Sequence, residues 1–238
     1  MGWGFEMIDV TKQAGGRPVL DGVNLGARMG LVTAVIGPAG SGKTMLFRLL
    51  AGLERPDTGA VLVAGRDIAA ARGRARKKIQ RRMGVVFQGT DAGLFAGVSV
   101  RENVEFPMRA AGRVPGRRLG AVAQEQLERF GLADHAEARP DALAPAQRRC
   151  LALARAVALR APLMLVDGFD DDLDPGTLRR VCAILREENA ARAATWLLTL
   201  RDPALAALVA DEAVELPAPG PVGGAFGPHS ASSAVMRR

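Results

Sequence analysis

Leu31-Val32-Thr33-Ala34-Val35-Ile36 runs without a break into Gly37-Pro38-Ala39-Gly40-Ser41-Gly42-Lys43-Thr44, and the chain continues as Met45-Leu46-Phe47-Arg48-Leu49-Leu50. The first six residues are apolar and rich in β-branched side chains, the pattern of a buried strand, and the glycines end it. From Lys43 onward Met45, Leu46, Leu49 and Leu50 form a stripe at helical spacing. The eight residues between fit the Walker A pattern. Glycines let backbone N–H groups turn inward around phosphates, the helix start adds its positive end, Lys43 reaches the β/γ-phosphates and Thr44 can ligate Mg²⁺. A strand, this loop and a helix predict an α/β fold with a P-loop NTPase core, and Gly37, Pro38, Ala39, Gly40, Ser41, Gly42, Lys43 and Thr44 are the expected nucleotide-binding residues.

Further along, Leu163-Met164-Leu165-Val166-Asp167 is an apolar strand ending in a carboxylate. After a complete Walker A loop in the same chain, Asp167 is the expected Walker B residue, holding Mg²⁺ through water. Short strands are also expected at residues 19–27, 60–64, 84–87 and 195–200, and helices at 102–110, 119–130, 147–159 and 175–191. A β-region, a mainly helical stretch and a return to αβ units follow from that order.

The 238 residues suffice for one large α/β domain but not two. Apolar residues are 48% and charged residues 24%, a globular balance, and no apolar run approaches the roughly 18 residues of a spanning helix. The opening residues, Met1-Gly2-Trp3-Gly4-Phe5-Glu6, show no export or myristoylation signal, which leads to the expectation of a cytoplasmic protein. Cys150 and Cys182 have no metal or redox spacing and read as buried thiols. The net charge is +7, with its densest basic run from Arg72 to Arg82. Lacking interleaved aromatics, that run reads as a solvated helix face rather than a nucleic-acid surface. Residues 217–238 turn to Pro, Gly, Ala and Ser and are expected to form a disordered tail.

Several more segments, matching in order and spacing, make the chain resemble the ABC transporter ATPases over about residues 6–216. Val86-Phe87-Gln88 is similar to the Q-loop, whose glutamine meets Mg²⁺ and the attacking water. Leu143-Ala144-Pro145-Ala146-Gln147-Arg148-Arg149 falls where the signature motif belongs, and Leu173-Asp174-Pro175 resembles the end of the D-loop. The resemblance implies a RecA-like core with an antiparallel β flap and an inserted helical subdomain at about 89–146. It also implies ATP with Mg²⁺ as cofactors, and Thr44, Gln88 and Asp167 as metal-site residues. Expected partners are membrane permease subunits and a second ATPase subunit, with the chain peripheral on the cytoplasmic face of the cell membrane. The wording of residues 87–109 resembles the ATPases of lipid-trafficking systems, the MlaF-like group, which would add an MCE-type lipid-binding protein. Similar wording occurs in amino-acid importer ATPases.

Four departures bear on chemistry. The residue after Asp167, a glutamate in the family, is Gly168, and losing a positioned general base costs on the order of 10²–10⁴ in rate. Asp170, Asp171 and Asp172 follow closely as possible substitutes. The switch histidine falls on Arg201, which can touch a phosphate but cannot act as a neutral imidazole. In the signature Ala144 lacks the hydroxyl, Pro145 lacks an N–H and Ala146 adds a methyl, while proline still suits a first helical turn. The adenine-stacking aromatic falls on Ala14, a loss of roughly 1–3 kcal/mol by analogy with base stacking. Trp3 and Phe5 nearby are expected to be strand residues packing into the core. The expected function is therefore an ATP-binding transporter subunit with impaired hydrolysis. The alternative is a non-catalytic regulatory or scaffolding subunit paired with an active ATPase.

Overall fold

The computed structural model describes residues 2–89, 93–217 and 236–237. Strands β1 (Trp3–Ala14) and β2 (Arg17–Arg28) form a hairpin about Gly15 and Gly16, both at positive φ. β3 (Val32–Ile36) leads through the glycine loop to helix α1 (Lys43–Leu50). β4 (Thr58–Val63) and β5 (Arg66–Asp67) return to the hairpin, giving an antiparallel sheet of order β2-β1-β4-β5. Helix α2 (Gly73–Gln80) carries the basic run, and only Ile79 of it is buried. Then come β6 (Met83–Val86), α3 (Val100–Ala111), α4 (Leu119–Arg129), α5 (Pro145–Ala158), β7 (Leu163–Val166), α6 (Pro175–Arg192), β8 (Thr195–Leu200), α7 (Pro203–Val209) and β9 (Glu212–Glu215).

The second sheet has the order β9-β3-β8-β7-β6 with all neighbours parallel, and β10 (Met236–Arg237) pairs antiparallel on β9. Those two residues are paired although they fall in the stretch expected to be a disordered tail; the rest of that stretch after residue 217 lies outside the described residues.

Strand side chains alternate between faces. Val35, Leu163, Leu165 and Leu197 join the antiparallel sheet and α1 in one core, around Phe5, Met7, Phe47 and Leu50. Ala34, Met164, Val166, Leu198 and Leu200 join α3 to α7 in the other, around Val104, Leu127 and Leu151. The parallel sheet is thus covered on both faces, which is why its strands read as unbroken apolar runs. The elements expected from the sequence appear within a few residues of their expected ends. Trp3 departs from expectation: Phe5 is buried, but Trp3 is 44% exposed. Its ring lies across Gly26, where a Cβ would come within 2.7 Å of ring carbon Cε3, so packing on the surface of β2 replaces entry to the core.

Candidate functional site

The loop after β3 closes on itself. Lys43 Nζ donates to the carbonyl of Pro38 at 2.8 Å and to that of Gly37, while Gly42 adopts φ 91°, a left-handed conformation suited to glycine. A Cβ there would stand 2.7 Å from Leu20 Cδ2 and 2.9 Å from the carbonyl of Val19, so the residue type is fixed by space as well as by dihedral. Helix α1 begins with no side-chain cap, leaving its first amides to whatever enters the loop. Ser41 Oγ is buried without a partner. Uncapped amides, an orphaned hydroxyl and a lysine folded over the loop fit a phosphate chain.

The residues expected on the metal side gather here. Thr44 Oγ1 donates to Gln88 Oε1 at 3.1 Å. Asp167, at the end of β7, is buried, and its Oδ1 accepts from Thr199 Oγ1 at 2.6 Å. The same hydroxyl oxygen accepts from the Gly168 N–H at 2.7 Å. A hydroxyl, an amide oxygen and a carboxylate make an all-oxygen donor set suited to Mg²⁺. Burial holds the Lys43 ammonium below the ordinary lysine value; Asp167, Asp170 and Asp171 pull it up, while Arg201 pushes it down. Those charges therefore converge on the phosphate loop.

Gly168 takes φ +63°, and the turn it starts returns the Asp171 N–H to the Gly168 carbonyl at 3.0 Å. Asp171 is buried. Its Oδ2 accepts from Gln88 Nε2 at 3.0 Å, and its Oδ1 pairs with the Arg201 guanidinium. Asp170 Oδ2 accepts from the Arg201 N–H at 3.2 Å, whereas Asp172 is exposed. Arg201, at the switch position, thus reaches into the site from the end of β8.

The altered signature still starts a helix. Pro145 opens α5, and Gln147 Oε1 accepts from the Ala144 N–H at 2.9 Å; Ala144 has no hydroxyl with which to reciprocate. Gln147 Nε2 also lies 2.9 Å from His135 Nε2. Ala14 ends β1, exposed, and adds no ring to the site. Cys150 and Cys182 are free and buried, and burial raises both thiols to about 11.

Two residues of the site were not singled out by their sequence. Thr199 ties Asp167 to Gly168; its signal is a hydroxyl inside an apolar strand. Arg149, fully buried, donates to the carbonyls of Phe87 at 2.7 Å, Asp167 at 2.7 Å and Gly168 at 2.6 Å. It joins α5 to both loops at the metal side. A charged residue at a helical position facing the core is the only signal it gives.

A protein-family model described as "ABC transporter" matches residues 20–169. Among curated relatives, the methionine import ATP-binding protein MetN of Mesorhizobium japonicum is 36% identical over 205 residues, covering 86% of this chain and 55% of the relative. MetN of Caulobacter vibrioides is 36% identical over 214 residues, covering 90% and 64%. The chain spans a little over half the length of most of the curated relatives it matches. Among solved structures, a dimeric bacterial ABC transporter cassette superposes with a TM-score of 0.82 at 27% identity, covering 90% of this chain and 94% of that one. A dimeric cassette in a post-hydrolysis state bound to ADP and Pi gives 0.81 at 27% identity, covering 89% and 94%.

Proposed function

The chain belongs to the ABC transporter family of ATP-binding domains, and from that premise we propose that it is the nucleotide-binding subunit of a membrane importer that turns over ATP slowly. The family's cofactors are ATP and Mg²⁺. Residues 37–44 would hold the phosphates, and Thr44, Gln88 and Asp167 the metal, whose charge would offset that of the phosphates. The observation that carries the reading is the convergence of Lys43, the Thr44–Gln88 pair and Asp167–Thr199 on one loop.

The relatives' names favour an amino acid as cargo. They replace the lipid cargo suggested by the wording of residues 87–109 and lend nothing to an MCE-type partner. Among the described residues no helix is long and apolar enough to cross a membrane, which suits a subunit attached to permeases from the cytoplasmic side. Residues 1–216 as one ATPase domain, with its helical part at about 89–146, belong to the same proposal.

Slow turnover is supported by Gly168, by Arg201 in place of a histidine and by the Ala144-Pro145-Ala146 signature. The same three features favour the second reading, a regulatory subunit without catalysis. Calorimetry with Mg-ATP at millimolar concentration tests the first claim: binding is expected, and Lys43→Ala should abolish it. A folded chain that takes up no ATP removes the nucleotide assignment.

A further inference from the structure

From the Gly168–Asp171 turn we infer that Asp171 is the carboxylate that orients the attacking water in this site, standing in for the glutamate missing at 168. The inference rests on the nucleotide-binding reading above and goes further by naming the residue through which residual hydrolysis runs.

Space is the first observation. A Cβ built on Gly168 would overlap Asp171 Oδ2 and stand 2.7 Å from Asp171 Cγ. The Asp171 carboxylate therefore fills the volume into which a side chain at 168 would project, and a side chain there would require that carboxylate to swing aside. Glycine at 168 also supplies the φ of +63° that brings residue 171 back over the turn. Gly168 and Asp171 are one arrangement: the carboxylate has moved three residues along the chain while its place has been kept.

Partners are the second observation. Gln88 Nε2 donates to Asp171 Oδ2, and Gln88 Oε1 accepts from Thr44 Oγ1, so one glutamine links Asp171 to the residue at the foot of the phosphate loop. Arg201 takes the other carboxylate oxygen. Each oxygen retains acceptor capacity beyond its one partner. A base oriented by a third group is a recurrent catalytic arrangement. The third observation is that Ser41 Oγ lies buried without a partner in the phosphate loop to which Gln88 ties Asp171 through Thr44.

In the step itself the water oxygen bonds to the γ-phosphorus as the bond from phosphorus to the β–γ bridging oxygen breaks, its electron pair staying on ADP. One water proton remains on inorganic phosphate and the other is released to solvent. Little covalent work is asked of the protein in such a transfer, and positioning dominates. Asp171 contributes by accepting a hydrogen bond from the water. An arginine-paired carboxylate draws that hydrogen less strongly than an unpaired one, in keeping with slow turnover.

The test uses the full chain and three readouts: melting temperature without nucleotide, Mg-ATP affinity and steady-state ATP turnover, with Lys43→Ala as background. Asp171→Asn should lower turnover about tenfold or more while affinity stays within about threefold. Gly168→Glu should lower the melting temperature, and adding Asp171→Ser should recover part of that loss by clearing the overlap, the strain of a side chain at φ +63° remaining. The inference is overturned by Asp171→Asn turning over within about twofold of the unchanged chain, by affinity falling as far as turnover, by Gly168→Glu melting no lower than the double variant, or by an unchanged chain that binds Mg-ATP without turnover. Absence of Mg-ATP binding would instead fail the nucleotide-binding reading.

Discussion

Arg149 shows how much a single residue can carry. A guanidinium with almost no exposure is costly to bury, and burial draws its affinity for a proton down against the nearby Asp171, Asp167, Asp172 and Asp170. Three carbonyl acceptors, Phe87, Asp167 and Gly168, are its return. Arg149→Leu would strand the Phe87 and Asp167 carbonyls at roughly 1–3 kcal/mol for each buried acceptor left without a donor, while the Gly168 carbonyl keeps the Asp171 N–H. Chemical denaturation should show a loss of about 3 kcal/mol or more; a change below about 1 kcal/mol would mean that the carbonyls find other donors. Residue-scale legibility was uneven for a physical reason. Gly37 to Thr44 announce themselves because phosphate binding needs contiguous backbone, and that is visible in a contiguous string. Arg149, Thr199 and Asp171 act across gaps of 18 to 83 residues, and no local pattern reports such pairings.

Among the elements, those with strong periodicity were legible: β3, β7 and β8 as apolar runs and α3 to α6 as amphipathic segments. β1 was less so, because register shifts against β2 break its alternation between Trp3 and Gln13. β9, Glu-Ala-Val-Glu, is not among the strands expected from the sequence, and only the fold reveals that Glu212 is buried against Arg28. The approach to α3 depends on a buried amide that the helical pattern alone would treat as an error. Asn103 Oδ1 accepts from the Phe95 N–H at 2.8 Å, and its Nδ2 donates to the carbonyls of Phe95 and Ser99, each at 3.0 Å. Ser99 and Glu102 close a capping box just beside it. Asn103→Ala should release the Phe95 segment before it melts α3. Hydrogen exchange is then expected to speed up at Phe95 while the interior of α3 keeps its protection, and equal loosening of both would assign Asn103 a merely global role.

At the scale of the whole molecule, the resemblance to dimeric cassettes makes assembly the natural readout of the altered signature. The resemblance to ABC transporter ATPases implies that each nucleotide is closed by the signature of a second subunit. Ala144 brings no hydroxyl and Pro145 no N–H to that closure. Since a hydrogen bond to a charged group contributes about 1.5–3 kcal/mol, Mg-ATP should drive association of this chain weakly. The triple change Ala144→Ser, Pro145→Gly and Ala146→Gly should strengthen nucleotide-driven dimerisation about tenfold or more by sedimentation; an unchanged equilibrium would show that α5 does not meet nucleotide across a subunit boundary. The global fold was legible because its core sheet is buried on both faces, whereas closure between subunits leaves no signature in one chain's periodicity. The buried Arg149 adds a mechanical consequence. Its stem is anchored in α5 and its head grips Phe87 ahead of Gln88, and Asp167 and Gly168 at the far end of β7. Helix and both loops are thus clamped as a rigid linkage, and a push on α5 would arrive at the Asp171 turn as displacement, with no slack loop in between to absorb it.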